Sequence, residues 1–265
     1  MSEGGGYLLD NRAVEAGERF AALSAIFDAS TFRHIDALGI GRGGRCWEVG
    51  AGGESIVRGL AARVGAEGRV LATDIDLGWA RGAAAPNVEV SRHDVGRDDP
   101  PAAGGFDLVH ARLVLVHVPE RERALATMVA AARSGGWVMV EDADPALQPL
   151  ACIDAAGPDQ ELANRVRAGL RTLLAGRGAD LAYGRKLPRL LRAVGLVDVA
   201  ADAYFPVAHP ACARLELATV GLIRDRLIEA AVVTAAEIDR HLANVAAGRL
   251  DLAQPPMITA WGRRP

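Results

Sequence analysis

From Arg45 to about residue 145 the chain alternates short β-prone runs with helical stretches. RCWEV reads as a strand, SIVRGLAARVG as a helix, and RVLATDI as a strand. LGWARGAA then reads as a helix, VEVSRHDV as a strand, and FDLVHARLVLVHV as a strand leaving into a loop. PERERALATMVAAAR is a helix, and GGWVMVEDA is a strand entered through a glycine turn. Strands separated by helices cannot form hairpins. They must run parallel, in a sheet covered by helices on both faces.

The flanks are mostly helical. Residues 1–39 place Ala13, Phe20, Leu23, Ile26, Phe27, Phe32, Ile35 and Leu38 at mostly three- and four-residue spacings, which predicts a helical cap. The DAST segment predicts a break there into two helices. Residues 40–265 read as the core. Within it, DQELANRVRAGLRTLLAGRG and RKLPRLLRAVGL predict helices, and VDVAADAYFPV and PMITAWGRR predict strands. A helical insertion at about 208–255 separates those last two strands.

Bulk properties narrow the function. The net charge is -3 and no basic stripe is visible, so nucleic acid is not an expected partner. No apolar run approaches the roughly 20 residues that span a bilayer, so no membrane role is expected. Cys46, Cys152 and Cys212 are far apart with no CxxC pair, which supports neither a metal site nor a disulfide framework. The first twenty residues lack the basic start and apolar run of a signal peptide, and a reducing cytoplasm is the expectation. A homodimer stays open.

The chemistry gathers where strands end. In open parallel sheets ligands sit beyond the carboxyl ends of the strands, near a switch in strand order. Glu48 stands just before the small-residue turn Gly50-Ala51-Gly52, Asp74 closes the second strand, and Asp94 follows the third. Ionised carboxylates only accept hydrogen bonds. Asp74 suits two ribose hydroxyls, Asp94 an exocyclic amine, and Glu48 a cationic amino-acid head or the backbone that frames it. The bland alternative makes Asp74 and Asp94 turn formers and Glu48 a partner of a helix dipole. A dinucleotide site fits less well. Ser55 stands where G-x-G-x-x-G needs its third glycine, and Glu48 would repel a pyrophosphate.

The segments EVGAGG, ATDID, RHDV, FDLVHARLVLVHVPERERAL and SGGWVMVEDAD resemble the successive motifs of class I S-adenosylmethionine-dependent methyltransferases. The resemblance is closest to small-molecule enzymes of actinobacterial secondary metabolism and covers residues 45–145 most firmly. It implies a Rossmann-like α/β fold of seven strands, mostly parallel, with the last strand antiparallel. It also implies S-adenosyl-L-methionine as cofactor. Carried over, Glu48, Gly50, Ala51 and Gly52 line the methionine end, while Asp74 holds the ribose with Ile75 against the adenine. Asp94 and Val95 meet the adenine edge, and Ala111 offers backbone to the cofactor's amino group. Glu54 departs from the pattern by replacing a third glycine. It suits the helix dipole if it points outward, and crowds the cofactor or favours its sulfonium if it points inward.

His117, in the loop after the fourth strand, is the candidate general base for a hydroxyl nucleophile, the alternative being a packing or capping role. Asp142, with Glu141, is placed to orient that ring or bind substrate, or is an ordinary strand-end acid. Arg112 is read as a contact for the cofactor carboxylate or an acidic substrate, or as the partner of a structural acid. His110 is read as packing inside. Tyr7 and Arg19 fall where relatives carry a lid, and Tyr204 and His209 border the late insertion. The leading hypothesis is O-methylation of a small natural-product-like molecule. The alternatives are N- or C-methylation, or a protein that binds the same cofactor and catalyses rearrangement or cyclisation, or serves as a binding module.

Overall fold

A computed structural model describes residues 14–102 and 104–265. Seven strands form one sheet: β1 (Arg45–Val49), β2 (Arg69–Asp74), β3 (Val88–Arg92), β4 (Phe106–Arg112), β5 (Ala132–Ala143), β6 (Val197–Tyr204) and β7 (Met257–Arg263). Their order is β3-β2-β1-β4-β5-β7-β6. The pairs from β3 to β5 are parallel, and β7 runs antiparallel to both β5 and β6. The sheet grows outward from β1 on one side and β4 on the other. The switch in strand order therefore lies between them, and the crevice beyond their carboxyl ends is where a ligand belongs.

The centre of the sheet follows from composition. All of β1 but Arg45 is buried. Trp47 satisfies its indole by donating to Thr73 Oγ1 on β2 at 2.9 Å. Helix α1 (Val14–Ala37) and helix α2 (Ser55–Val64) share a core with the strands. Ile35 of α1 and Ile56, Val57, Leu60 and Val64 of α2 pack with Cys46, Val70, Leu108 and Met139. Gly59 makes that contact possible, since a Cβ there would lie 2.0 Å from Phe32 Cζ.

Two expectations are corrected. DAST does not break α1, which runs unbroken from Val14 to Ala37. Asp28 and Thr31 have the side chains of cap residues, but both are satisfied by partners on the sheet and leave the helix intact. LGWARGAA forms only a short 3-10 turn at Arg81–Ala83, in keeping with the poor helix propensity of its two glycines.

By its contacts the chain divides into two compact units. One holds the sheet and comprises residues 27–143, 183–204 and 257–265. Helices α3 (Arg121–Ala131) and α5 (Leu187–Ala193) belong to it. The other runs to Ile26 and takes residues 144–182 and 205–256. It is built on α4 (Pro158–Ala175), α6 (Pro210–Glu229) and α7 (Ala235–Ala246). Leu162, Val166, Val220, Ile223, Leu227 and Ile238 form its core. Thr234 and Glu237 close a capping box at the start of α7. Arg167 and Glu216 form a buried ion pair in the same unit, and His241 Nε2 lies 3.0 Å from the same carboxylate. No helix among the described residues is long and apolar enough to cross a membrane.

Candidate active site

The turn after β1 is shaped by backbone that side chains would disturb. Gly50 and Gly52 have φ of 63° and 58°, in the left-handed region. A Cβ on Gly50 would meet Val114 Cγ2 at 2.4 Å. Its absence lets the turn close against the segment leaving β4. Ala51 N–H donates to Thr73 O at 2.9 Å, which ties the turn to β2.

Asp74 organises the next position. Its Oδ2 accepts from Gly52 N–H at 2.9 Å and its Oδ1 from Asp76 N–H at 3.0 Å. Burial pushes its pKa up, against these backbone donors. Each oxygen keeps a lone pair, so the carboxylate can still receive two hydroxyls. Beside it Ile75 is 63% exposed, an uncovered apolar face of the kind a flat aromatic ring covers. A glycine turn, a half-buried carboxylate and a bare apolar face in sequence fit an adenosine-bearing ligand. Glu54 leaves that space open. Its carboxylate accepts from Arg58 Nε at 2.7 Å along α2 and lies over Gly82.

The third acid is more ordinary. Asp94 Oδ1 accepts from Gly96 N–H at 3.0 Å in a tight turn, and the side chain is 39% exposed. Val95 is buried, as is Ala111, so both present backbone rather than side chain. Arg112 is occupied by α1, donating to Asp28 Oδ1 at 2.9 Å and Thr31 Oγ1 at 3.1 Å. That is the structural-acid pairing weighed from the sequence.

Behind the glycine turn lies a buried network that the sequence did not disclose. Glu48 and His110 are register partners on β1 and β4. His110 Nδ1 lies 2.6 Å from Glu48 Oε2, and its Nε2 lies 3.2 Å from Glu141 Oε2. Glu141 also accepts from Thr31 Oγ1 and Thr259 Oγ1, both at 2.6 Å. Burial opposes the imidazolium, but the Glu48 charge and the bonds to both carboxylates outweigh it and lift His110 to about 9. Burial also opposes ionised Glu141. The hydrogen bond and charge of His110, with Arg112 and Thr259, still pull it down to about 2. For Glu48 burial dominates and pushes the carboxyl up, against His110 and Arg112. The signal was a histidine and an acid inside two apolar strands, where each needs a buried partner.

His117 ends the 3-10 turn Leu115–His117 and is half-buried. Arg121 holds this turn from α3 by donating to Leu115 O and Val116 O, each at 3.1 Å. Asp142 is wholly buried, and neither carboxylate oxygen closes a hydrogen bond. Burial pushes it well above the usual carboxylate range, against the nearby Val116 N–H and the Arg121 charge. Asp142 therefore lies against the turn that carries His117 without bonding to its ring. The remaining candidates take structural places. His209 caps α6 by accepting from Ala211 N–H at 3.1 Å. Tyr204 packs edge-on against Phe27 with ring centroids 6.1 Å apart. Arg19 is buried, and Tyr7 lies outside the described residues.

Comparison with known proteins bears on the family and the fold. A family of proteins described as "Methyltransferase domain" matches residues 22–201. Methyltransferase str2 of Strobilurus tenacellus is 30% identical over 160 residues, covering 60% of this chain and 55% of that protein. The chain thus spans about half the length of the curated relative it matches. Phosphoethanolamine N-methyltransferase 2 of Haemonchus contortus was solved with phosphomonomethylethanolamine and S-adenosylhomocysteine. It is similar at a TM-score of 0.59 and 13% identity, over 98% of this chain and 60% of that one. The YcgJ protein of Bacillus subtilis is similar at a TM-score of 0.55 and 14% identity, over 88% of this chain and 99% of that one.

Proposed function

This chain belongs to the methyltransferase-domain family, and on that premise we propose that it methylates a hydroxyl of a small, natural-product-like molecule from S-adenosylmethionine. The carrying observation is the run of Gly50, Gly52, Asp74 and exposed Ile75 at the carboxyl ends of β1 and β2. Those residues would hold the donor, with Glu48 behind the turn toward its amino-acid end. When bound, S-adenosylmethionine supplies an electrophilic methyl on a sulfonium.

The protein's own part is positioning and proton removal. The segment carrying His117 begins at Val114, the side chain that fills the place of a Gly50 Cβ. His117 thus stands on a turn that abuts the glycine turn, and Arg121 fixes that turn's carbonyls. Its imidazole takes the proton of the substrate hydroxyl as the oxygen attacks. Asp142, whose carboxyl burial pushes well above the usual carboxylate range, backs the turn rather than the ring.

Two substitutions separate donor binding from chemistry. Asp74→Ala weakens donor binding by about 1.5–3 kcal/mol, the scale of hydrogen bonds to a charged group. His117→Ala lowers turnover by roughly 10²–10⁴-fold and leaves donor affinity nearly unchanged. Full turnover in His117→Ala would reject the base and favour an already reactive nitrogen or carbon nucleophile. Methyl-labelled donor that never passes label to product would reject transfer itself.

A further inference from the structure

We propose that His110 is a positioning residue for the methyl donor: clamped between Glu48 and Glu141, its ring holds the Glu48 carboxylate in the orientation and charge that receive the donor's cationic amino-acid arm. The inference rests on the donor assignment made above.

The geometry carries it in three steps. First, both ring nitrogens of His110 face carboxylate oxygens, Glu48 Oε2 at 2.6 Å and Glu141 Oε2 at 3.2 Å. Ionised carboxylates cannot donate, so the ring satisfies both only as an imidazolium with a proton on each nitrogen. Second, Glu141 is itself anchored. Thr31 Oγ1 from α1 and Thr259 Oγ1 from β7 donate to it, each at 2.6 Å. The ring is therefore held from a fixed point and cannot follow Glu48 if that side chain swings. Third, Oε2 of Glu48 is committed to His110, while Oε1 has no hydrogen bond to another described residue. Glu48 lies two residues before Gly50, so the uncommitted oxygen belongs to the acid nearest the turn.

Charge points the same way. Glu48 on β1 and Glu141 on β5 face the ring, Arg112 on β4 acts on both of those acids, and Asp28 on α1 pairs with Arg112 at 2.9 Å. With every group ionised, three acids face two cations. In that state the cluster carries one uncompensated negative charge, and a bound ammonium would offset the burial that pushes the Glu48 carboxyl up. A purely structural ion cluster is the rival explanation, since buried ion pairs are often no more stabilising than apolar packing. The two explanations part on ligand selectivity. A structural cluster supports the whole site, whereas a positioning residue for Glu48 supports only the amino-acid arm.

The test compares two ligands. S-adenosylhomocysteine carries the amino-acid arm, and 5′-methylthioadenosine keeps the adenosine and thioether without it. By calorimetry at pH 7, His110→Gln should bind S-adenosylhomocysteine about ten- to a hundred-fold more weakly than wild type, the range of one hydrogen bond to a charged group. Its affinity for 5′-methylthioadenosine should be unchanged. Equal loss of both ligands, or loss of neither, overturns the inference. Wild type that binds neither ligand overturns the donor assignment itself. If His110→Gln fails to fold, ¹⁵N-histidine NMR of the wild-type protein decides. His110 should show both ring nitrogens protonated at pH 7, with signals that move on adding S-adenosylhomocysteine but not 5′-methylthioadenosine. A neutral ring, or signals indifferent to the first ligand, overturns the inference.

Discussion

Thr31→Val isolates the bond that ties α1 to the buried acid of β5. Valine has nearly the shape of threonine, so no cavity opens at this fully buried position. The loss is the donation to Glu141 Oε2 at 2.6 Å and the acceptance from Arg112 at 3.1 Å. Arg112 keeps Asp28 at 2.9 Å, so its share is small. A hydrogen bond to a buried charged acceptor contributes about 1.5–3 kcal/mol, and we expect a destabilisation of about 2 kcal/mol at pH 7. Thr31→Ser keeps the hydroxyl and removes one methyl, which should cost about 1 kcal/mol. The pH dependence identifies the acceptor. Glu141 is depressed from an ordinary 4.5 to about 2, so its contribution is present above pH 4.5 and lost as pH falls through 2. The deficit of Thr31→Val should shrink over the same window. Urea unfolding followed by tryptophan fluorescence suits the measurement, because Trp47, Trp79, Trp137 and Trp261 all lie in the sheet unit. A deficit under about 0.5 kcal/mol at pH 7, or one equal at pH 7 and pH 3, would refute the reasoning.

Two further outcomes are expected. Gly50→Ala meets both a positive φ of 63° and Val114 at 2.4 Å; it should cost about 2–4 kcal/mol of stability and abolish measurable donor binding by calorimetry, and wild-type affinity would contradict the turn's role. Burial pushes the thiol pKa of Cys46 up to about 12 and of Cys152 to about 11, and raises Cys212; native protein at pH 8 should therefore resist a thiol reagent that labels all three rapidly in urea, and a fast native thiol would contradict this.

Much of the sheet was legible because β1 and β2 are short apolar runs cut by glycine or an acid, a local pattern that needs no knowledge of distant partners. The glycine turn and Asp74 were legible for the same reason, since a turn with positive φ and the carboxylate beside it are neighbours along the strand ends. The continuity of α1 was not. Asp28 and Thr31 look like cap residues, and only Arg112 and Glu141, more than eighty positions away, make them compatible with a helix interior. His110 does lie inside, as its sequence suggests, but its two carboxylate partners were not legible because they are set by register. Glu48 becomes its neighbour only when β1 and β4 pair, and Glu141 only through the β4–β5 ladder. Glu54 could be placed only after folding, when Arg58 and Gly82 drew its carboxylate aside.

β6 and β7 are adjacent and antiparallel, with Tyr204 opposite Met257 at the end where the chain leaves one and enters the other. A turn of a few residues would suffice to join them. Residues 205–256 stand there instead and belong to a different compact unit from either strand. The sheet thus makes no demand on the length or sequence of that segment beyond bringing its two ends together. What constrains that segment is α4, whose Leu162 and Val166 share one core with Val220, Ile223, Leu227 and Ile238. Residues 205–256 and α4 therefore form one packing problem, separate from that of the strands, and a change in either must be answered in the other.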